Sequence, residues 1–213
     1  MMSENDEILE PPGSIAIIGG GILGLEAALY GRFLGYDVQV FEAARIGQWW
    51  EEQGDVELGF LPGRAISGLA WQAIQAQRDQ PEELPVLPTT MAEWGSQIVQ
   101  ELAEVDLLRG RVLASHRVTE VTAVPNEEDP NETDFVIRCD GAEESWEAEA
   151  IIDTTGLFSP AEGEALVPYR YRLTQPSDND FETKTATGRD QICQLFAQLG
   201  DRPDLDLFRP TRT

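Results

Sequence analysis

Apolar residues along the first 43 positions change period twice. Ile15 to Ile18 is an unbroken aliphatic run, the pattern of a short strand covered on both faces. From Ile22 to Leu34 the spacing turns helical, with Leu25, Ala28, Leu29 and Phe33 recurring on one side before Gly35 stops the helix. Val38 to Phe41 is a second buried run. Strand, helix and strand in that order predict a parallel pair joined by a right-handed crossover.

Further along, Gly47 to Gly68 shows no period and carries Trp49, Trp50 and Phe60, and prolines at 81, 85 and 88 punctuate the next stretch. Thr90 with Glu93 forms a capping-box pattern, and Trp94, Ile98, Leu102 and Val105 then mark an amphipathic helix. "RVLASHRVTEVTAV" is extended, "NEEDPNET" reads as a turn, and "DFVIRCD" and "SWEAEAII" are further strands. Together they predict one more parallel strand and then a small antiparallel meander. "AIIDTTGLFS" returns to a buried strand that ends at Gly156. After Pro160, "YRYRLTQPSDNDFETKTATG" has no steady period, whereas Ile192, Leu195, Phe196 and Leu199 share a helical face. The expected organisation is a disordered acidic lead over 1–13, an α/β domain over 14–160, and a C-terminal extension with one helix over 161–213.

Composition narrows the partners. The chain has 39 acidic and 15 basic residues, a formal charge of −24, and 41% hydrophobic residues, enough for a core. So anionic a surface repels phosphate backbones and acidic headgroups, which argues against nucleic acid and membrane surfaces. No window reaches the ~18 apolar residues of a membrane span, and the first residues lack an apolar signal core, so a cytoplasmic protein is expected. Cys139 and Cys193 stand 54 residues apart with no CxxC, and His116 is the only histidine. These counts point to neither a thioredoxin-like redox pair nor a usual zinc site, and no metal is expected.

The chemistry sits in the first turn. Gly19, Gly21 and Gly24 fit G-x-G-x-x-G between a strand and a helix. Gly19 makes the turn, Gly21 lets a diphosphate approach the backbone, and Gly24 lets helix and strand pack closely. The amides around Gly20, Ile22 and Leu23 and the positive helix end face the anion, a local field that outweighs distant acidic charge. Glu42 ends the second strand 23 residues beyond Gly19, near the ~20 expected of an acid that accepts ribose hydroxyls. Its charge would repel a 2′-phosphate, which favours FAD or NAD over NADP.

This constellation resembles the FAD-binding domain of flavoproteins with two dinucleotide-binding domains, the class of flavin monooxygenases and pyridine-nucleotide oxidoreductases. The likeness runs over about 14–160 and rests on four segments: Gly19 to Glu42, "IGQWW", "HRVTEV" and "IIDTTG". It implies a Rossmann-like FAD/NAD(P)-binding fold, with a parallel sheet, helices and an inserted meander. It also implies FAD as cofactor, with NAD as the alternative. The site residues carried over are Gly19, Gly20, Gly21, Ile22, Leu23, Gly24, Glu42, Ala43, Trp49, the Val118 backbone, Thr155 and Gly156. In "IGQWW" Gln48 stands where the family has a glycine, and Trp49 and Trp50 read as core filling or a loop cap ahead of a flavin-side role. Asp153 reads as a strand-end acceptor of turn amides.

The resemblance also implies features that the sequence does not display. No second G-x-G-x-x-G occurs after Gly24 to serve NAD(P)H. The family's late strand ending in Gly-Asp has one imitation, Gly200-Asp201, but its lead-in has helical period. No general acid, base or nucleophile stands out, so no catalytic residue is assigned. Three readings stay open: a flavin-dependent oxidoreductase served by a partner protein or a diffusing reductant; a non-catalytic dinucleotide-binding module or subunit of a split oxidoreductase; and a degenerate fold kept without cofactor.

Overall fold

The structure, a computed structural model, describes residues 8–77, 87–126, 129, 132–158, 167–173 and 180–209. Its centre is a parallel sheet of β1 (Ser14–Ile18), β2 (Asp37–Phe41), β3 (Val112–Leu113), β7 (Ala150–Asp153) and β8 (Arg170–Arg172), in the order β3-β2-β1-β7-β8. A separate antiparallel meander holds β4 (Val118–Pro125), β5 (Thr133–Cys139) and β6 (Ser145–Ala148).

Alternation explains why the central strands carry apolar residues without interruption. Ile15, Ile17, Val38, Val40 and Ile152 point into the helical layer, whereas Ala16, Ile18, Phe41 and Ile151 meet Phe135, Ile137 and Ala148 of the meander. Each of these residues therefore buries its side chain on one face or the other.

The helical layer is built on α1 (Ile22–Leu34), closed by Gly35 at φ 95°. Ten consecutive residues of α1, Ile22 to Gly31, are buried, and Phe33 is half exposed instead of completing the apolar stripe. Helix α7 (Phe181–Leu199) lies against α1 with Ile192, Leu195, Phe196 and Leu199 inward. A Cβ at Gly188 would fall 2.4 Å from Leu23, so the two helices approach closely at that point.

Between β2 and β3 the chain forms four short helical segments, α2 (Gln48–Glu51), α3 (Pro62–Ala65), α4 (Gly68–Gln75) and α5 (Met91–Trp94). Thr90 and Glu93 close the expected capping box on α5. The helix continues as a π-helical stretch, Gly95–Gln100, and ends in α6 (Glu101–Ala103). Trp94, Ile98, Leu102 and Val105 are all buried. Trp50, Phe60, Trp94 and Phe181 form one aromatic cluster with ring centroids 4.5–6.2 Å apart.

Two expectations change. Residues 1–7 of the lead and prolines 81 and 85 lie outside the described residues, as does part of the 126–133 turn. Residues 8–13 are packed, not disordered: Leu9 is buried, its N–H donates to Leu199 O, and Tyr36 Oη donates to Leu9 O. The stretch without a steady period contains β8, the fifth strand of the sheet. Gly200 is the C-cap of α7, its N–H reaching Phe196 O, so Gly200-Asp201 ends a helix. No helix among the described residues is long and apolar enough to cross a membrane.

Candidate functional site

In an open parallel sheet, ligands collect at the carboxyl ends of the strands where the strand order reverses. Here that place lies between β1 and β7, because the chain leaves β1 toward β2 and β3 and returns to its other side. Ile18 pairs with both Phe41 and Asp153, so the turns after β1, β2 and β7 emerge in one row.

The turn after β1 separates the glycines by what each must avoid. Gly19 has φ 106°, and a Cβ there would lie 2.3 Å from Thr154 Oγ1. A Cβ at Gly24 would lie 1.9 Å from the Gly19 carbonyl oxygen, a backbone atom that cannot step aside. A Cβ at Gly20 would meet Ile46 and Glu42 below 3 Å. Gly21 differs: its φ of −72° suits any residue, and a Cβ would find nothing within 4 Å. The fold requires a glycine at 19, 20 and 24, but at 21 the bare backbone faces open, solvent-exposed space.

Helix α1 begins at that bare residue with no side-chain cap. Its first i→i−4 bond runs from Leu25 N–H to Gly21 O, so the amides of Ile22, Leu23 and Gly24 precede the ladder. Thirteen aligned residues add the positive end of the helix dipole.

Glu42 is half-buried beside this turn. Its Oε2 accepts from Gly20 N–H at 2.7 Å and its Oε1 from Ala44 N–H at 2.9 Å. The carboxylate thus ties the glycine turn to the β2 turn and carries Ala43 on an exposed bend. Each oxygen keeps a further acceptor position, since an ionised carboxylate offers about four. Ser115 and His116 donate their amides to Ala44 O and Glu42 O, which brings the segment leading to Val118 alongside. Val118 itself is buried in the meander core.

The β7 turn is organised by Asp153, as the strand-end reading expects. Its Oδ1 accepts from the amides of Thr155 and Gly156 and from Thr155 Oγ1, and its Oδ2 accepts from Phe158 N–H. Thr154 opens the Thr-Thr-Gly element of the "IIDTTG" segment; its Oγ1 donates to Ile18 O and stands at the Gly19 turn. Thr155 and Gly156 come next, and Gly156 takes φ 73°.

Trp49 lies on α2, is 59% exposed and meets Trp50 edge-on at 4.8 Å. Gly47 is needed for packing: a Cβ there would reach Gly95 O at 2.8 Å, and one at Gly95 would reach Gly47 O at 3.0 Å. Trp50 is consumed by the aromatic cluster, in line with core filling.

The residues present fit the ADP part of a dinucleotide: a bare Gly21 face, three helix-start amides and an acid with spare acceptors bonded to the glycine turn at Gly20. The structure brings together Gly19 to Gly24, Glu42, Ala43, Thr155 and Gly156 at one sheet edge. Trp49 and Val118 lie on the elements that leave that edge.

No family model matches this sequence, and no curated protein matches it. Among solved structures, the chain is similar to an oxidized steroid monooxygenase bound to NADP, with 21% identity and a TM-score of 0.50 over 72% of this chain and 28% of that one. It also aligns with OTEMO in complex with FAD and NADP (20%, TM-score 0.48, 70% and 26% covered). A third match is the bacillithiol disulfide reductase Bdr (YpdA) from Staphylococcus aureus (18%, TM-score 0.46, 68% and 42% covered). The chain spans between a quarter and about two-fifths of the length of these proteins. At 21% identity the steroid monooxygenase match shows the fold: a Rossmann-like parallel sheet with helices.

Proposed function

We propose that this chain binds FAD through its ADP part and acts as the cofactor-holding portion of a flavin-dependent oxidoreductase. The observation that carries the reading is Gly21, a glycine that neither backbone angle nor neighbours require, at the uncapped head of α1. A diphosphate laid on that face would accept from the amides of Ile22 to Gly24 without leaving the surface of the turn. Glu42 would accept the ribose hydroxyls on the β2 side while keeping its two amide bonds, and would exclude a 2′-phosphate by charge. Val118 and Ala43 would border the adenine, and Thr155 and Gly156 the adenosine–diphosphate end of the ligand. Trp49 stands as the exposed ring nearest in sequence to the β2 turn.

When bound, FAD supplies the electron transfer, and this chain supplies position and electrostatics. FAD ranks above NAD in this reading because the meander before β7 matches the resemblance to FAD domains. Reducing equivalents would come from a partner protein or a diffusing donor.

The test is direct. Protein purified under mild conditions should carry the visible absorption of an oxidised flavin, released on denaturation, and the stripped protein should melt higher when FAD is returned. Ligand at about 100 times its Kd adds about 2.7 kcal/mol. Gly21→Val should abolish that gain while the ligand-free variant melts within a few degrees of wild type. A gain from NAD alone would move the reading to NAD, and no gain from either would leave a fold retained without cofactor.

A further inference from the structure

Arg172 is a cation at the same sheet edge for which none of the preceding roles accounts. It ends β8 and pairs in register with Asp153, two strands from β1, or about 10 Å at ordinary strand spacing. Its side chain folds back over the β7 turn: a Cβ at Gly156 would lie 2.5 Å from Nη2, 3.1 Å from Cζ and 3.2 Å from Nε. The guanidinium therefore lies against Gly156, whose neighbour Thr155 abuts the Gly19 turn. Gly156 takes φ 73°, which favours glycine, and its missing side chain leaves that space to Arg172.

Arg172 is exposed, and among the described residues its side chain makes no ion pair or hydrogen bond. Among the described arginines, Arg45, Arg64, Arg109, Arg111, Arg138, Arg189 and Arg209 each have a carboxylate within 4 Å, whereas Arg172 shares with Arg32, Arg117, Arg170 and Arg202 the lack of one, and it alone of these lies against the β7 turn at Gly156. Asp153, its register neighbour, turns its oxygens into the β7 turn and forms no ion pair with it. The five N–H donors of a guanidinium form a fork that matches a phosphate.

The direction of the ligand decides which phosphate. Glu42 places the ribose on the β2 side, α1 takes the diphosphate over β1, and the chain of groups then continues toward β7 and β8. We propose that Arg172 binds the distal phosphate of the diphosphate, the one farther from adenosine, and so makes the site select nucleoside diphosphates and their conjugates over monophosphates. This rests on the reading of the cleft as a dinucleotide site.

Calorimetric titration of the stripped protein with AMP, ADP and FAD tests it. Arg172→Met keeps the aliphatic stem and removes the charge; it should weaken ADP and FAD about tenfold, the worth of one charge-assisted contact, and leave AMP unchanged. Arg172→Lys should recover part of the loss, and the melting temperature of ligand-free protein should not move. ADP and FAD affinities equal to wild type in Arg172→Met, or AMP weakened as much as ADP, would overturn the role of Arg172. If Gly21→Val abolishes binding while Arg172→Met binds normally, only this proposal falls. If folded wild-type protein binds none of the three, the dinucleotide reading falls and Arg172 with it.

Discussion

The glycines of the first turn look alike in sequence and differ sharply in surroundings. Alanine at 24 must drive a methyl into the Gly19 carbonyl oxygen, whereas alanine at 21 meets open space. We expect Gly24→Ala to cost about 3 kcal/mol in urea denaturation and Gly21→Ala less than about 0.5 kcal/mol. Equal losses would mean that the turn is looser than its geometry implies. Spacing alone made Gly19 and Gly24 legible, because a strand-to-helix turn imposes the same constraint wherever it occurs. The amide bonds of Glu42 were not legible, since they depend on a side chain folding back across two turns. Arg172 was equally hidden, although the alternation of Tyr169, Tyr171 and Leu173 with Arg170 and Arg172 has the period of a strand.

At the scale of elements, α1 carries a carboxylate in its buried middle. Glu26 is fully buried; its Oε1 accepts from Ser67 N–H at 2.5 Å, at the cap of α4, and its Oε2 lies 3.7 Å from Arg189 Nη1 on α7. That separation leaves Oε2 and Nη1 without hydrogen-bond partners. Burial pushes the Glu26 carboxyl above its ordinary 4.5, opposed by the Arg189 charge and the Ser67 amide. Because the folded value is raised, the folded state binds the proton more tightly than the unfolded one. Its stabilising share is complete below about pH 4.5 and is lost as pH rises through the folded value. Glu26→Ala should lose about 3 kcal/mol at neutral pH by uncoupling Arg189, and adding Arg189→Met should restore part of it. The stability of the double variant should also vary less with pH between 4.5 and neutrality. Sequence periodicity found α1 and the inner face of α7, but placed the start of α7 too late. Its first turn is anchored by the Asp180 cap and by Phe181 in the aromatic cluster, not by a repeating stripe.

For the whole molecule, the parallel sheet with its meander was readable because uninterrupted aliphatic runs have few other uses. The short β8 was not, since three residues give too brief a pattern. Charge acts at this scale as well. At −24 the folded chain repels itself, and 1 M KCl shortens the screening length to ~3 Å. Melting temperature should therefore climb by several degrees between 10 mM and 1 M KCl in scanning fluorimetry; a flat profile would mean that local ion pairs already cancel the repulsion.

The sheet is bounded by strands of two and three residues, β3 and β8. Rims that short offer an incoming chain almost no ladder to extend, which guards against stacking of copies edge to edge. Among the described residues the longest open rim is β4 of the meander, eight residues and mostly exposed, so a strand added from another chain would join there and not at the parallel sheet.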